Sequence, residues 1–296
     1  MKVGIPRALL YHRYGQFWHS FVSELGVDVV VSRKTDQALL DSGLGLVPSE
    51  VCLPIKVAAG HIRELAGQVD MVFMPRLMWL EDTLYACPKM IGIVDLARMM
   101  LGPDVPLVAP SIKGNFLRPH FAAGVAITHN PLRAARALHR AQKYLPAHNA
   151  MPDFPAGEKR IGLISHFYNL QDDFVSGAIT DTFKQHGYRI CTKDALPEAI
   201  LRDSAGMAGN IRWVYERELY NAFMFLLERV SGMCMVVSMG CGPDSLVAEF
   251  MREEAQSRRI PFLELVIDEH TGTAGLVTRV EAFLELTGRR LKAGVR

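Results

Sequence analysis

Met233-Cys234-Met235-Val236-Val237-Ser238-Met239-Gly240-Cys241-Gly242-Pro243-Asp244-Ser245 decides how the chain is read. Its first seven residues are an apolar run of the length and composition of a strand buried on both faces. Gly240 and Gly242 then mark a tight turn, and Leu246-Val-Ala-Glu-Phe-Met251 continues as a helix whose first positions suit Pro243. Strand, glycine turn and helix in that order are half of a parallel α/β unit. They put Cys241 where unpaired backbone N–H groups and the positive end of a helix dipole favour a thiolate.

The same alternation runs outward in both directions. Lys2–Ile5, Val27–Val31, Val69–Pro75 and Val105–Ala109 read as strands in the first half. Helical periodicity lies between and after them, at Ala8–Leu25, Thr35–Ser42, Leu53–Ala66, Pro88–Met100 and Leu132–Leu145. The aromatics of Ala8–Leu25 (Tyr11, Tyr14, Phe17, Trp18, Phe21) suggest a face packed at a domain interface. A polar stretch with two prolines, 147–159, reads as a linker, after which the pattern restarts. Strands are predicted at Arg160–Ser165, Tyr188–Thr192, Met233–Met239 and Pro261–Asp268, and helices at Asp173–His186, Ile211–Arg229 and Thr278–Leu286. The expected architecture is two open Rossmann- or flavodoxin-like α/β domains, 1–146 and 160–296, with mainly parallel sheets and an intervening cleft.

The chain has 296 residues, 49% apolar and 22% charged, enough for two cored domains and against disorder. Lys+Arg 33 against Asp+Glu 31 gives a formal +2, which argues against nucleic acid or an anionic membrane as main partner. Met1-Lys-Val-Gly-Ile-Pro-Arg7 reads as a first strand rather than a secretion signal, and no run of about 18 apolar residues is seen. A soluble, cytoplasmic protein is expected. Five cysteines in such a chain point to metal binding, catalysis or burial rather than a disulfide framework.

Three of the five share a setting. Cys52-Leu-Pro54, Cys87-Pro88 and Cys241-Gly-Pro243 each follow a loop and precede a proline that opens a helix-like run. Three thiolates are ligands enough for a 4Fe-4S cluster with one open iron, or for zinc with one open position. Their wide spacing is unlike the close cysteine pairs of ferredoxins and zinc ribbons, and small buried side chains are the bland alternative. Cys191 and Cys234 lie inside strand-like runs and read as core. Among polar residues, Glu50 is a candidate helix cap or cluster-side acid. His166, Tyr168 and Asn169 follow the first strand of the second domain, where open sheets hold ligands. Asp244 and Ser245 fit the first turn of the Cys241 helix. Asp268, Glu269 and His270 follow the last strand, either as proton donors or as an anchor for Arg279, and His270 is a candidate fourth metal ligand.

Gly4-Ile-Pro-Arg-Ala-Leu-Leu-Tyr11, Ser49-Glu-Val-Cys52-Leu-Pro, Tyr85-Ala-Cys87-Pro-Lys, Gly240-Cys-Gly-Pro-Asp-Ser245 and Ile267-Asp-Glu-His-Thr-Gly272 resemble a group of proteins related to the activases of 2-hydroxyacyl-CoA dehydratases. The likeness runs from the first strand to Thr278-Arg-Val-Glu-Ala-Phe-Leu284. The group is similar in architecture to the dehydratase subunits and the double-cubane cluster reductases. The resemblance implies an iron–sulfur protein with Cys52, Cys87 and Cys241 as ligands, and favours iron–sulfur over zinc. It further implies an ATP-hydrolysing activase as electron donor, a small-molecule or acyl-CoA substrate and a homodimer. A single 4Fe-4S cluster is expected, with a larger double-cubane-type cluster completed across a dimer as its variant. No Gly-x-x-x-x-Gly-Lys-Ser/Thr occurs, so this chain is not expected to hydrolyse ATP. The rival expectations are a non-catalytic cluster carrier or electron-transfer protein, and a metal-free ligand-binding protein.

Overall fold

The apolar runs become parallel strands and the periodic runs become their covering helices, in two separate compact units, Met1–Ala147 and His148–Arg296. The structure is a computed structural model that describes residues 1–81, 84–146 and 149–292, without the side chains of 290–292.

In the first unit the elements are β1 (Lys2–Ile5), α1 (Tyr11–Glu24), β2 (Asp28–Val31), α2 (Gln37–Leu44), α3 (Leu53–Leu65), β3 (Met71–Phe73), β4 (Arg76–Glu81), β5 (Leu84–Tyr85), α4 (Pro88–Leu101), β6 (Leu107–Val108), β7 (Ser111–Lys113), α5 (Leu117–Thr128) and α6 (Pro131–Ala141). The main sheet has the order β2-β1-β3-β6, parallel throughout. The α1 aromatics pack inside this unit: Phe17, Trp18 and Phe21 are buried, and their rings meet Phe73, Phe116 and His120. They are therefore the unit's own core, not the interface face expected from the sequence. His120 ties the cluster together, taking the Trp18 Nε1–H on Nε2 at 3.1 Å while Nδ1 lies 2.6 Å from the Phe116 carbonyl.

Helices α2 and α3 cross at Gly43 and Gly60. A Cβ on Gly60 would lie 2.2 Å from the Leu39 carbonyl oxygen, and one on Gly43 would lie 2.4 Å from that of Lys56. Only backbone fits between these helices, and the crossing positions α3, whose N-cap is Cys52.

In this unit two features had no counterpart in the expected pattern. A small second sheet, β5-β4-β7, pairs β4 antiparallel to β5 and parallel to β7. Its strands are two to six residues long, too short for alternation to register. Helix α5 carries Pro119, Gly124 and the β-branched Val125, Ile127 and Thr128, so its propensity is poor and packing against α6 sustains it.

The second unit comprises β8 (Arg160–Ile164), α7 (Phe167–Leu170), α8 (Asp173–Gln185), β9 (Arg189–Cys191), α9 (Glu198–Leu201), α10 (Val214–Leu227), β10 (Gly232–Ser238), α11 (Gly242–Ser257), β11 (Phe262–Ile267) and α12 (Thr273–Lys292). Its sheet has the order β11-β10-β8-β9 and is parallel throughout. All seven residues of β10 are buried, as its apolar run Met233–Val237 requires. Residues 149–159 form neither helix nor strand, and Phe154 packs on this unit's core; positions 147 and 148 of the expected linker lie outside the described residues. Helix α12 starts five residues before the expected Thr278, taking in Gly275, which had read as loop.

Candidate metal centre

In the second unit the chain leaves β8 toward β9 on one side and returns to β10 on the other. The sheet's topological switch point therefore lies between β8 and β10, the position where open α/β sheets bind ligands. Both strands end there in a helix start. His166 is the N-cap of α7 and Cys241 the N-cap of α11, with proline in the first turn as expected. A hydrogen-bonded set locks the two strand ends together: Ser165 Oγ donates to the Val236 carbonyl at 2.7 Å, and Asn169 Nδ2 donates to Ser165 Oγ at 3.1 Å. Ser238 Oγ stands 3.5 Å from Asn169 Oδ1.

Four donor atoms converge at this edge. His166, Glu216, Cys241 and Asp244 each offer one ligand atom, all within 4.8 Å of one another, and all four residues are buried. His166 Nε2 lies 2.7 Å from Asp244 Oδ1 and 3.9 Å from Glu216 Oε1. Asp244 and Glu216 occupy the first turns of α11 and α10, where the dipole favours negative charge. The Tyr168 ring stacks on the imidazole at 4.7 Å, and Tyr215 meets it edge-on at 6.2 Å. One imidazole nitrogen, one thiol and two carboxylates buried side by side have the donors to hold a metal ion.

Electrostatics couple these groups. Burial acts to lower the His166 pKa, but the charge and hydrogen bond of Asp244, with Glu216 behind it, prevail and raise it above 6.5. Burial pushes the Glu216 carboxyl up to about 7, against the pull of His166. Beside them Lys193 is fully buried, 2.8 Å from Glu218 and 3.1 Å from Asp194, over the rings of Phe167 and Tyr215.

The other sequence candidates fall in several places. Cys52 and Cys87 are the N-caps of α3 and α4 in the first unit, each with proline in the first turn, so all three proline-marked cysteines close a helix start. Cys87 Sγ accepts from the Met90 N–H at 3.4 Å, the contact expected of a sulfur at a dipole's positive end. The turns carrying Cys52 and Cys87 are neighbours, because Lys89 Nζ donates to the Glu50 carbonyl at 3.3 Å. The Glu50 residue is itself exposed. Asp268 organises its own loop, its Oδ1 accepting from the His270 N–H at 2.9 Å and from Thr271 Oγ1 at 2.7 Å. Glu269 is nearly buried, whereas the His270 side chain is 83% exposed and 3.9 Å from it. Among the described residues the converging group contains His166 rather than His270. Arg279 donates to the Glu264 carbonyl at 2.7 Å. Cys191 and Cys234 are buried, and burial raises both thiol pKa values, as befits core residues. No cysteine is in a disulfide.

Glu216, Lys193 and Glu218 were not singled out from the sequence. For the two glutamates the available signal was Tyr220-Asn-Ala-Phe-Met-Phe-Leu-Leu227, apolar but for Asn221, which makes the charges at the start of that helix buried charges; Lys193 lies outside the helix and had no such signal.

The model of the CoA enzyme activase uncharacterised domain family (DUF2229) matches residues 2–196, and the chain belongs to that family. The matched stretch contains Cys52, Cys87 and His166, while Glu216, Cys241 and Asp244 lie beyond it. No curated protein matches the chain. No helix among the described residues is long and apolar enough to cross a membrane.

Proposed function

We propose that this chain is the electron-accepting component of an ATP-driven reductase or dehydratase system, working in the cytoplasm with a separate activase as electron donor. In this reading Cys52, Cys87 and Cys241 hold a 4Fe-4S cluster, and a small molecule or an acyl-CoA is the substrate. A homodimer is the expected working form, matching a two-fold symmetric donor. One observation carries the reading: in a chain of the CoA enzyme activase domain family, three cysteines each cap a helix whose first turn contains proline.

The donor chemistry fits the group. All three cysteines stand at helix N-termini, where the dipole favours thiolate; the Cys87 sulfur accepts the Met90 N–H, a hydrogen bond of the kind that tunes cluster potential, whereas Cys52 and Cys241 make no side-chain cap bond. When bound, the cluster supplies low-potential one-electron chemistry. The chain's own residues do the rest. Ser165, Asn169 and Ser238 fix the strand ends that carry His166 and Cys241. His166 and Asp244 hold a proton between Nε2 and Oδ1, with Glu216 as the next carboxyl. Glu50, Asp268, Glu269 and His270 are the further candidate proton donors, of which Glu50 and His270 are exposed.

The test is strictly anaerobic purification with iron and sulfide analysis on wild type and on Cys52→Ala, Cys87→Ala and Cys241→Ala. The expected result is a brown protein with about four irons per chain, bleached by each substitution and reducible by an ATP-hydrolysing activase. About eight irons would assign the double-cubane-type cluster instead. Iron without substrate turnover would make the chain a carrier. Absence of iron after reconstitution would leave a metal-free ligand-binding protein and refute the proposal.

A further inference from the structure

We propose that the second unit by itself binds a single divalent transition-metal ion, zinc or ferrous iron in its chemistry, through His166, Glu216, Cys241 and Asp244. The inference does not depend on the cluster reading, since every donor belongs to one unit.

Spacing comes first. Zinc–ligand bonds of 2.0–2.3 Å place tetrahedral donors about 3.3–3.8 Å apart. Four ligand atoms within 4.8 Å of one another lie within about 1.5 Å of that spacing, the wider pairs having to close and His166 Nε2 and Asp244 Oδ1, at 2.7 Å, to part. Ligands on different irons of a cluster stand farther apart, because an iron–iron separation and two outward bonds intervene. The donor types come second. Imidazole, thiolate and carboxylate together suit a borderline ion such as zinc or ferrous iron, and exclude calcium and magnesium, which take oxygen ligands.

Burial adds to this. One imidazole, one thiol and two carboxylates sit together in the interior, and a divalent ion there would balance the thiolate and carboxylates once they give up their protons. His166 is 1% exposed and presents Nε2 to Asp244 and Glu216, while Nδ1, on the other side of the ring, has no hydrogen-bond partner among the described residues. The location agrees, since the group sits at the carboxyl edge between β8 and β10. Cys241 is the one donor claimed by both centres, so loading this ion and loading a three-cysteine cluster exclude one another.

Anaerobic cobalt(II) titration of the full chain tests this, because cobalt reports both the presence of a thiolate ligand and the coordination number. Expected are about one cobalt per chain, a thiolate-to-cobalt charge-transfer band and the strong visible bands of a tetrahedral site. The Cys52→Ala/Cys87→Ala double variant should titrate like wild type. Cys241→Ala should lose the charge-transfer band, and His166→Ala and Asp244→Asn should each weaken binding at least tenfold. Asp244→Asn keeps the shape of the side chain, and circular dichroism identifies any variant that fails to fold. No stoichiometric cobalt, a band that survives in Cys241→Ala, or a band lost in the Cys52/Cys87 variant would each overturn the proposal. Cobalt at this site in a protein that never acquires iron would uphold it while the cluster reading fails.

Discussion

Lowering the pH from 7.5 to 5 should destabilise the first unit by about 4 kcal/mol, because two of its histidines are folded in as neutral rings. His61 is fully buried, with Nδ1 2.8 Å from Ser32 Oγ and Nε2 3.1 Å from Thr35 Oγ1. Burial, then the nearby charges of His12, Arg7 and Arg33, lower its pKa to about 3. His120, between Trp18 and the Phe116 carbonyl, is lowered by burial to about 4. Both folded values lie below the ordinary 6.5, so between 6.5 and the folded pKa the unfolded chain takes up protons that the fold excludes. Stability is therefore full above about pH 6.5 and falls as pH drops. At pH 5 each ring contributes about 1.36 × 1.5, or roughly 2 kcal/mol. Against a typical total of 5–15 kcal/mol this is a large share. His166, raised above 6.5 in the other unit, works in the opposite sense, so the assay must read the first unit. Urea unfolding followed by tryptophan fluorescence in a Trp213→Phe background does so, since Trp18 and Trp79 lie in that unit. With a slope near 2 kcal/mol/M, the midpoint should fall by about 2 M between pH 7.5 and 5. His120→Phe should lower the midpoint at every pH by leaving the Trp18 N–H without its partner, yet halve the pH dependence. A midpoint that moves by less than about 0.5 M, or an undiminished dependence in His120→Phe, would refute the reasoning.

Three further outcomes are expected. Glu216→Gln should stabilise the metal-free second unit at pH 8 by about 1–3 kcal/mol, because a carboxyl raised from 4.5 to about 7 costs stability in full above pH 7 and nothing below 4.5. Denaturation of that unit followed through Trp213 checks this, and a destabilised variant would contradict it. Gly60→Ala forces α2 and α3 apart at the Leu39 carbonyl and should cost about 1–3 kcal/mol, a fall in Tm of several degrees by calorimetry. Cys234→Ser places a hydroxyl in a fully buried strand position and should cost about 1–3 kcal/mol, while anaerobic metal content stays at the wild-type level. Metal lost from a still-folded Cys234→Ser protein would show that core and ligand cysteines had been misassigned.

What could be read from the chain alone was whatever local chemistry fixes, and the helix-capping cysteines make the point. Proline at the first or second helical position sets φ and removes a donor the helix start does not need. Cys52-Leu-Pro, Cys87-Pro and Cys241-Gly-Pro therefore declare three helix N-termini without reference to any other part of the chain. Strands such as β10 declare themselves in the same way, because apolar residues at five successive positions, Met233–Val237, suit a strand covered on both faces. The partners of Cys241 are of another kind. Asp244 shares its helix, but His166 arrives by the sheet order β8 beside β10, and Glu216 by the packing of α10 against β8 and α11. His166 could be suspected from its position after a strand. Glu216 looked like an ordinary helix carboxylate until the continuation of α10, apolar but for Asn221, is taken to mean that its first turn is buried as well. His270 failed as a neighbour for the converse reason: it follows a strand like His166, yet the Asp268 turn closes within its own loop and leaves the imidazole in solvent. Whether a histidine after a parallel strand joins such a group thus depends on which strand it follows. The two that flank the switch point bring their loops face to face, and β11, one strand further out, does not lie at that point.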